Sequence, residues 1–181
     1  SRVADQAISV NCAGRTDAGV HGTGQVVHFE STIDRGEKAW VRGTNSHLPA
    51  QIRVQWARVV PDDFHARHSA LSRRYRYIIH TGPIRPAALV QQLTHIKEEL
   101  DVTRMHQAGQ HLLGENDFSA FRAAGCQSRT PMRCINELSV TRQRRFIVLE
   151  VEANAFLLHM VRNIAGALIE VGAGRQAPDW T

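Results

Sequence analysis

Lysine is almost missing from this sequence: Lys38 and Lys97 are the only two among 22 basic residues, so nearly all of the positive charge is guanidinium. Guanidinium binds phosphate through a bidentate fork and stacks on bases, which an ammonium group does not. Cysteine is scarce too. Cys12, Cys126 and Cys134 contain no CxxC pair, which argues against a disulfide framework and a zinc knuckle and predicts reduced thiols. No run of about 18 apolar residues occurs, so a membrane-spanning helix is excluded, and no basic-then-apolar leader opens the chain. These absences predict a cytoplasmic protein without membrane attachment. Ten histidines make a metal the one cofactor to weigh. There is no HExxH, however, and His65 and His68, three apart beside Arg67, lack a third ligand, so no metal is expected.

What is present is ordinary globular material: 181 residues, 43% hydrophobic and 22% charged, enough for one large or two small domains with real cores. The formal net charge of +5 points to an anionic partner, with nucleic acid the commonest candidate. Solubility alone would produce the same number.

Along the chain, Ala7 to Cys12 and Gln25 to Glu30 read as strands, and Glu37 to Leu48 reads as a short helix with Trp40, Val41, Thr44 and Leu48 on one face, stopped by Pro49. Ile52, Val54 and Trp56 alternate with Arg53, Gln55 and Ala57, as in a half-buried strand. The polar stretch Val60 to Ala70 marks a border near Ser69, which divides the chain into halves 1–68 and 69–181. Ser72 to His80 alternates strongly, with Tyr75, Tyr77 and Ile79 on one face. Asp101 caps a helix running through Met105, Ala108, Leu112 and Leu113 to Gly114. Ile135 to Thr141 and Phe146 to Ala153 pair as a hairpin around Arg142 to Arg145. A final helix starts near Asn154, with an apolar stripe from Phe156 to Leu168. Ser1 in place of an initiator methionine, and Asp179 after Pro178 as the N-cap of a further helix, predict a chain cut at both ends. Strands joined by hairpins rather than alternating with helices indicate an α+β chain with a mainly antiparallel sheet.

Chemistry concentrates first in "CAGRTDAGVHGTGQVVHFE", Cys12 to Glu30. Gly14, Gly19, Gly22 and Gly24 shape a tight loop that presents Asp17, two residues after Arg15. A carboxylate beside a guanidinium stays in its charged form, which suits a nucleophile or general base. Tyr75 and Tyr77 lie in a strand interleaved with Arg73, Arg74 and Arg76. That mixture serves either base stacking with phosphate binding or a core tyrosine pair on a basic strand. Arg122, Arg129 and Arg133 form a second basic cluster around loops. Arg162 stands among apolar neighbours in the last helix; if partly buried it needs a carboxylate, for which Asp17 is a natural partner. The residues alone lead to a basic, nucleic-acid-binding α+β protein with a glycine-loop carboxylate, and name no reaction.

Taken whole, "CAGRTDAGVHGTGQVVHF" resembles the signature loop of the pseudouridine synthase family, in particular its tRNA pseudouridine synthase A branch. "NSHLP" is similar to that branch's Asn-x-x-Leu-Pro, and "PDDFHARHSALSRRYRY" to its basic-aromatic segment. "GENDFSAFR" and "CQSRTP" resemble its later loops, and "ANAFLLHMVRNIAGALIEVG" its arginine-bearing helix, in the same order over essentially the whole chain. The family's N-terminal strand with Tyr-Asp-Gly and its C-terminal Gly-Leu-x-Leu segment have no counterpart in this sequence.

The resemblance implies an isomerase that converts uridine to pseudouridine in the tRNA anticodon stem-loop, around positions 38 to 40, with no metal and no cofactor. It implies the pseudouridine synthase fold, a mainly antiparallel sheet with helices on one side and two related halves flanking a cleft, in a homodimer that binds tRNA. Residue by residue, Asp17 resembles the catalytic aspartate and Arg15 a neighbour that positions it or the RNA. Tyr75 resembles the tyrosine that stacks on the target base, and Arg162 the arginine that pairs with the catalytic carboxylate. The rival expectation is an RNA-binding module without catalysis.

Overall fold

Residues 2–181 are described here from a computed structural model of the chain. Internal packing divides it into one unit that ends at Ala70 and another spanning Leu71–Thr181.

The first unit contains little regular structure. Strands β1 (Asn11–Cys12) and β2 (Val27–His28) pair antiparallel, Asn11 opposite His28 and Cys12 opposite Val27. Both are shorter than the alternation predicts. Helix α1 (Glu37–His47) starts after Gly36, whose φ of 70° is left-handed and whose N–H donates to Asp34 Oδ1 at 2.8 Å. It stops at Leu48, because Pro49 disfavours helical backbone in the residue before it. Ile52 to Trp56 is not a strand, despite its alternation. A strand needs a backbone partner. Here the Asn45 side chain stands in for one, its Nδ2 donating to Val54 O and its Oδ1 accepting from Val54 N–H, both at 2.8 Å. Ile52 and Trp56 are left 53% and 58% exposed.

The second unit is built on a five-stranded mixed sheet. Strands β3 (Arg73–Thr81), β4 (Thr94–Ile96), β5 (Gly114–Asp117), β6 (Met132–Gln143) and β7 (Phe146–Ala153) lie in the order β4-β3-β7-β6-β5. Only β3 and β4 run parallel. The β6–β7 hairpin turns at Arg144, whose φ is 58°, and a bulge between Ile135 and Glu137 shifts its register. Helix α2 (Val102–Gln110) has the expected cap, Asp101 Oδ1 accepting from Arg104 N–H at 3.1 Å.

Helix α3 spans Met160–Gly172 and so begins six residues later than its apolar stripe predicts. Residues 154–159 are held otherwise: Asn154 Oδ1 accepts from Cys134 N–H and Ala155 N–H, and His159 adopts a left-handed φ of 57° that no α-helix accommodates. Leu157 is buried all the same. Pro178–Trp180 forms a single 3-10 turn containing Asp179. The three cysteines are free thiols, and no helix among the described residues is long and apolar enough to cross a membrane.

Period-two alternation decides which sheet face is dry. Ile147, Leu149, Val151 and Ala153 of β7 are buried with Met105 and Ala108 of α2 and Ile164, Ala165 and Leu168 of α3. The alternate residues face away from the helices, and among them Glu150 and Glu152 of β7 and Arg74 and Arg76 of β3 carry charge. Arg74 reaches Glu152 Oε2 at 2.7 Å, Glu150 Oε1 at 2.8 Å and Glu137 Oε2 at 2.9 Å, and Arg76 reaches Glu150 Oε2 at 2.6 Å.

Hydrogen bonds from Arg76 and then Arg74 hold the Glu150 carboxyl below its ordinary pKa of 4.5, and bonds from Ser72 and then Arg74 do the same for Glu152. Carboxyls depressed in the folded state stabilise it above the unfolded pKa, and that contribution disappears as pH falls through the lowered folded values. The thermal midpoint is therefore expected to drop as the pH is taken below about 4.5. Arg74→Met should flatten that drop, and equal acid sensitivity in wild type and variant would contradict the assignment.

Candidate active site

The glycine loop of the first unit is closed at its base by backbone. Ala13 N–H donates to Val26 O at 2.9 Å, while the Gln25 side-chain amide donates to Gly14 O and accepts from Gly14 N–H. At the tip, Val20 N–H donates to Asp17 O at 3.0 Å and Gly19 has φ 81°. A β-turn with positive φ at its third residue requires glycine there. Asp17 thus occupies the first position of a tight turn, with its side chain exposed on the loop that also bears Arg15.

Behind this loop, three imidazoles cluster. The rings of His28 and His65 are 4.5 Å apart and those of His65 and His68 4.3 Å. Two of their nitrogens are occupied by backbone: His28 Nδ1 accepts from Ala66 N–H, and His65 Nδ1 accepts from Arg67 N–H and His68 N–H. This explains the "FHARH" spacing as a turn-forming device. Among the described residues, no group of three or more metal-ligating side chains could hold an ion.

The second unit carries the other two predicted site residues on separate elements, Tyr75 on β3 and Arg162 on the exposed side of α3. Tyr75 lies on the helix-covered face, half-buried, with its ring edge-on to Phe156 at 5.0 Å and 90°. Tyr77, two residues on and facing the same way, is committed elsewhere, since its hydroxyl shares a 2.6 Å hydrogen bond with Thr94 Oγ1. The Tyr75 hydroxyl has no such bond among the described residues. Of the two tyrosines, Tyr75 is the one whose hydroxyl is not engaged by another group among the described residues.

The basic-aromatic strand divides by face. Arg74 and Arg76 project opposite to Tyr75 and are tied to glutamates, so they do not join it in one phosphate-and-base surface. The loop cluster divides as well. Arg122 Nη2 donates to the carbonyls of Cys126 and Ser128, each at 2.7 Å, and Arg133, only 9% exposed, donates to Thr130 O and Met132 O. Both guanidinium groups fasten the loop internally, and Arg129 is the exposed member.

Two residues important to this arrangement had no sequence signal beyond their type. Asn45, near the end of α1, and Asn154, just after β7, act as side-chain splints for backbone, and an asparagine at or near the end of an element is the only hint of such a role.

Residues 108–181 match the family model described as tRNA pseudouridine synthase, a family of isomerases. Over 180 residues the chain is 59% identical to tRNA pseudouridine synthase A of Actinobacillus succinogenes, a match covering 99% of this chain and 68% of that protein. It is 58% identical to tRNA pseudouridine synthase A of Escherichia fergusonii, covering 99% of this chain and 67% of that one. The chain belongs to the tRNA pseudouridine synthase A family.

Proposed function

We propose that this chain carries the catalytic machinery of a tRNA uridine isomerase acting in the anticodon stem-loop, around positions 38 to 40. The observation that supports this reading best is the 59% identity sustained over 180 residues, which takes in every motif that bears a site residue.

In the proposed reaction the bond from the ribose C1′ to uracil N1 breaks, a bond from C1′ to C5 forms, the C5 proton leaves and N1 gains one. No electrons are gained or lost, so no redox group is needed. The half 1–68 presents Asp17 as the catalytic carboxylate, with Arg15 beside it to position it or the RNA. The half 69–181 supplies the Tyr75 ring as a stacking surface and the Arg162 guanidinium. A uracil detached from its sugar must be held until it is reattached, and a stacking ring restricts it to re-entry at the same carbon. Taking uridine out of the stem costs a few kcal/mol, which contacts to the phosphates offset. The reading includes a homodimer working in the cytoplasm without metal or cofactor.

Tritium at uracil C5 reports each turnover, because the C5 hydrogen is lost as the new bond matures. Arg162→Ala in the full-length protein should slow tritium release by about a hundredfold, the scale of losing one charged group at a reacting centre. Arg144→Ala, on the hairpin turn, should leave release within about twofold of wild type. Equal losses from the two would count against the reading.

A further inference from the structure

We infer that Phe156 is a positioning residue for the isomerase reaction: the perpendicular contact of its ring with Tyr75 fixes the plane of the Tyr75 ring, and so the surface on which the base stacks. This rests on the assignment of Tyr75 as the stacking tyrosine.

A ring on a strand can rotate about two side-chain bonds, and a stacking surface is useful only if its plane is set before the base arrives. Tyr77 has its hydroxyl anchored to Thr94 Oγ1 at 2.6 Å. Tyr75, lacking that tether, has the perpendicular contact with Phe156, centroids 5.0 Å apart. Edge-to-face is the preferred meeting of two rings, since the positive rim of one points into the negative face of the other.

Phe156 can act this way because its own backbone is held on both sides. Two residues before it, Asn154 exchanges bonds with the end of β6: Asn154 N–H donates to Cys134 O and Asn154 Oδ1 accepts from Cys134 N–H, each at 3.1 Å. Asn154 O also accepts from Arg73 Nη1 at 3.1 Å, which fastens the segment to the start of β3, two residues from Tyr75. Two residues after Phe156, Leu158 N–H donates to Cys126 Sγ at 3.4 Å and Leu158 O accepts from Ala123 N–H at 3.1 Å. Residues 154–159 therefore form a braced strap, and its late release into helix at Met160 is what lets Phe156 lie across β3.

The test uses the full-length protein and tritium release from tRNA. Phe156→Leu should lower kcat about tenfold, less than the hundredfold that a full 1 Å misplacement can cost, with KM for tRNA within about twofold. Phe156→Tyr, which keeps the ring, should restore kcat, and Phe156→Met serves if the leucine variant does not fold. In a Tyr75→Leu background, Phe156→Leu should cause no further loss of kcat. A simple packing role would instead lower the thermal midpoint in both backgrounds and leave kcat unchanged. Wild-type kcat in Phe156→Leu, or a loss that multiplies onto that of Tyr75→Leu, would overturn the inference while leaving the isomerase reading intact. Full turnover in Tyr75→Leu alone would overturn the assignment of Tyr75, and this inference with it.

Discussion

Asp17→Asn is expected to abolish tritium release from C5-labelled tRNA, by about a thousandfold or more, the scale on which single catalytic carboxylates are lost. The substitution suits the question because asparagine matches aspartate in shape and removes only the charge and the basic oxygen. The turn at the loop tip is made by Asp17 O and Val20 N–H, both backbone, with Gly19 supplying the positive φ. A loss of turnover with the thermal midpoint unchanged would report chemistry, and tRNA binding should stay within about threefold, since phosphate contacts carry most of the affinity. An RNA-binding module without catalysis makes the opposite forecast, with no change in the variant's cellular role. Tritium release at the wild-type rate would end the case for Asp17.

The second large effect concerns the fold. Leu149 is fully buried at the middle of β7, opposite Tyr77 of β3 on one side and Val140 of β6 on the other. Leu149→Ala opens a cavity between sheet and helices and should cost about 3 kcal/mol. For a unit of this size that lowers the thermal midpoint by roughly 15 °C. Ile78→Ala is the control, because Ile78 lies on the opposite face of the sheet and is 37% exposed. It should cost well under about 1 kcal/mol. Similar losses at the two positions would mean that the dry face has been misassigned.

How far such features can be read from the sequence depends on whether their cause is local. The β3 strand, the β6–β7 hairpin and the Asp101 cap were legible because alternation, turn length and a capping side chain act within a few residues. The loop tip was legible for the same reason. The late start of α3 was not, since the apolar stripe continues through Leu157 and what stops the helix is a set of bonds to Cys134, Cys126 and Ala123, all distant in sequence. Ile52 to Trp56 shows the converse, with strand alternation present and Asn45 in place of a strand partner. Strands β4 and β5, three and four residues long, are too short for periodicity to register. At the site, arginine density suggested phosphate contacts around Tyr75. The glutamates that engage Arg74 and Arg76 come from strands 63 to 78 residues away, beyond any local pattern.

Those ion pairs bear on where a nucleic acid can settle. On the helix-free face of the sheet, Glu137, Glu150 and Glu152 outnumber Arg74 and Arg76; all three nitrogens of the Arg74 guanidinium are engaged by carboxylate oxygens, and Arg76 is held through its Nε. A polyanion approaching that side meets a surplus of like charge and, of the two guanidinium groups, finds spare donors on Arg76 alone. A chain that is basic as a whole has in this way made one of its broad surfaces inhospitable to RNA, which narrows the orientations open to a docking tRNA before any base is read.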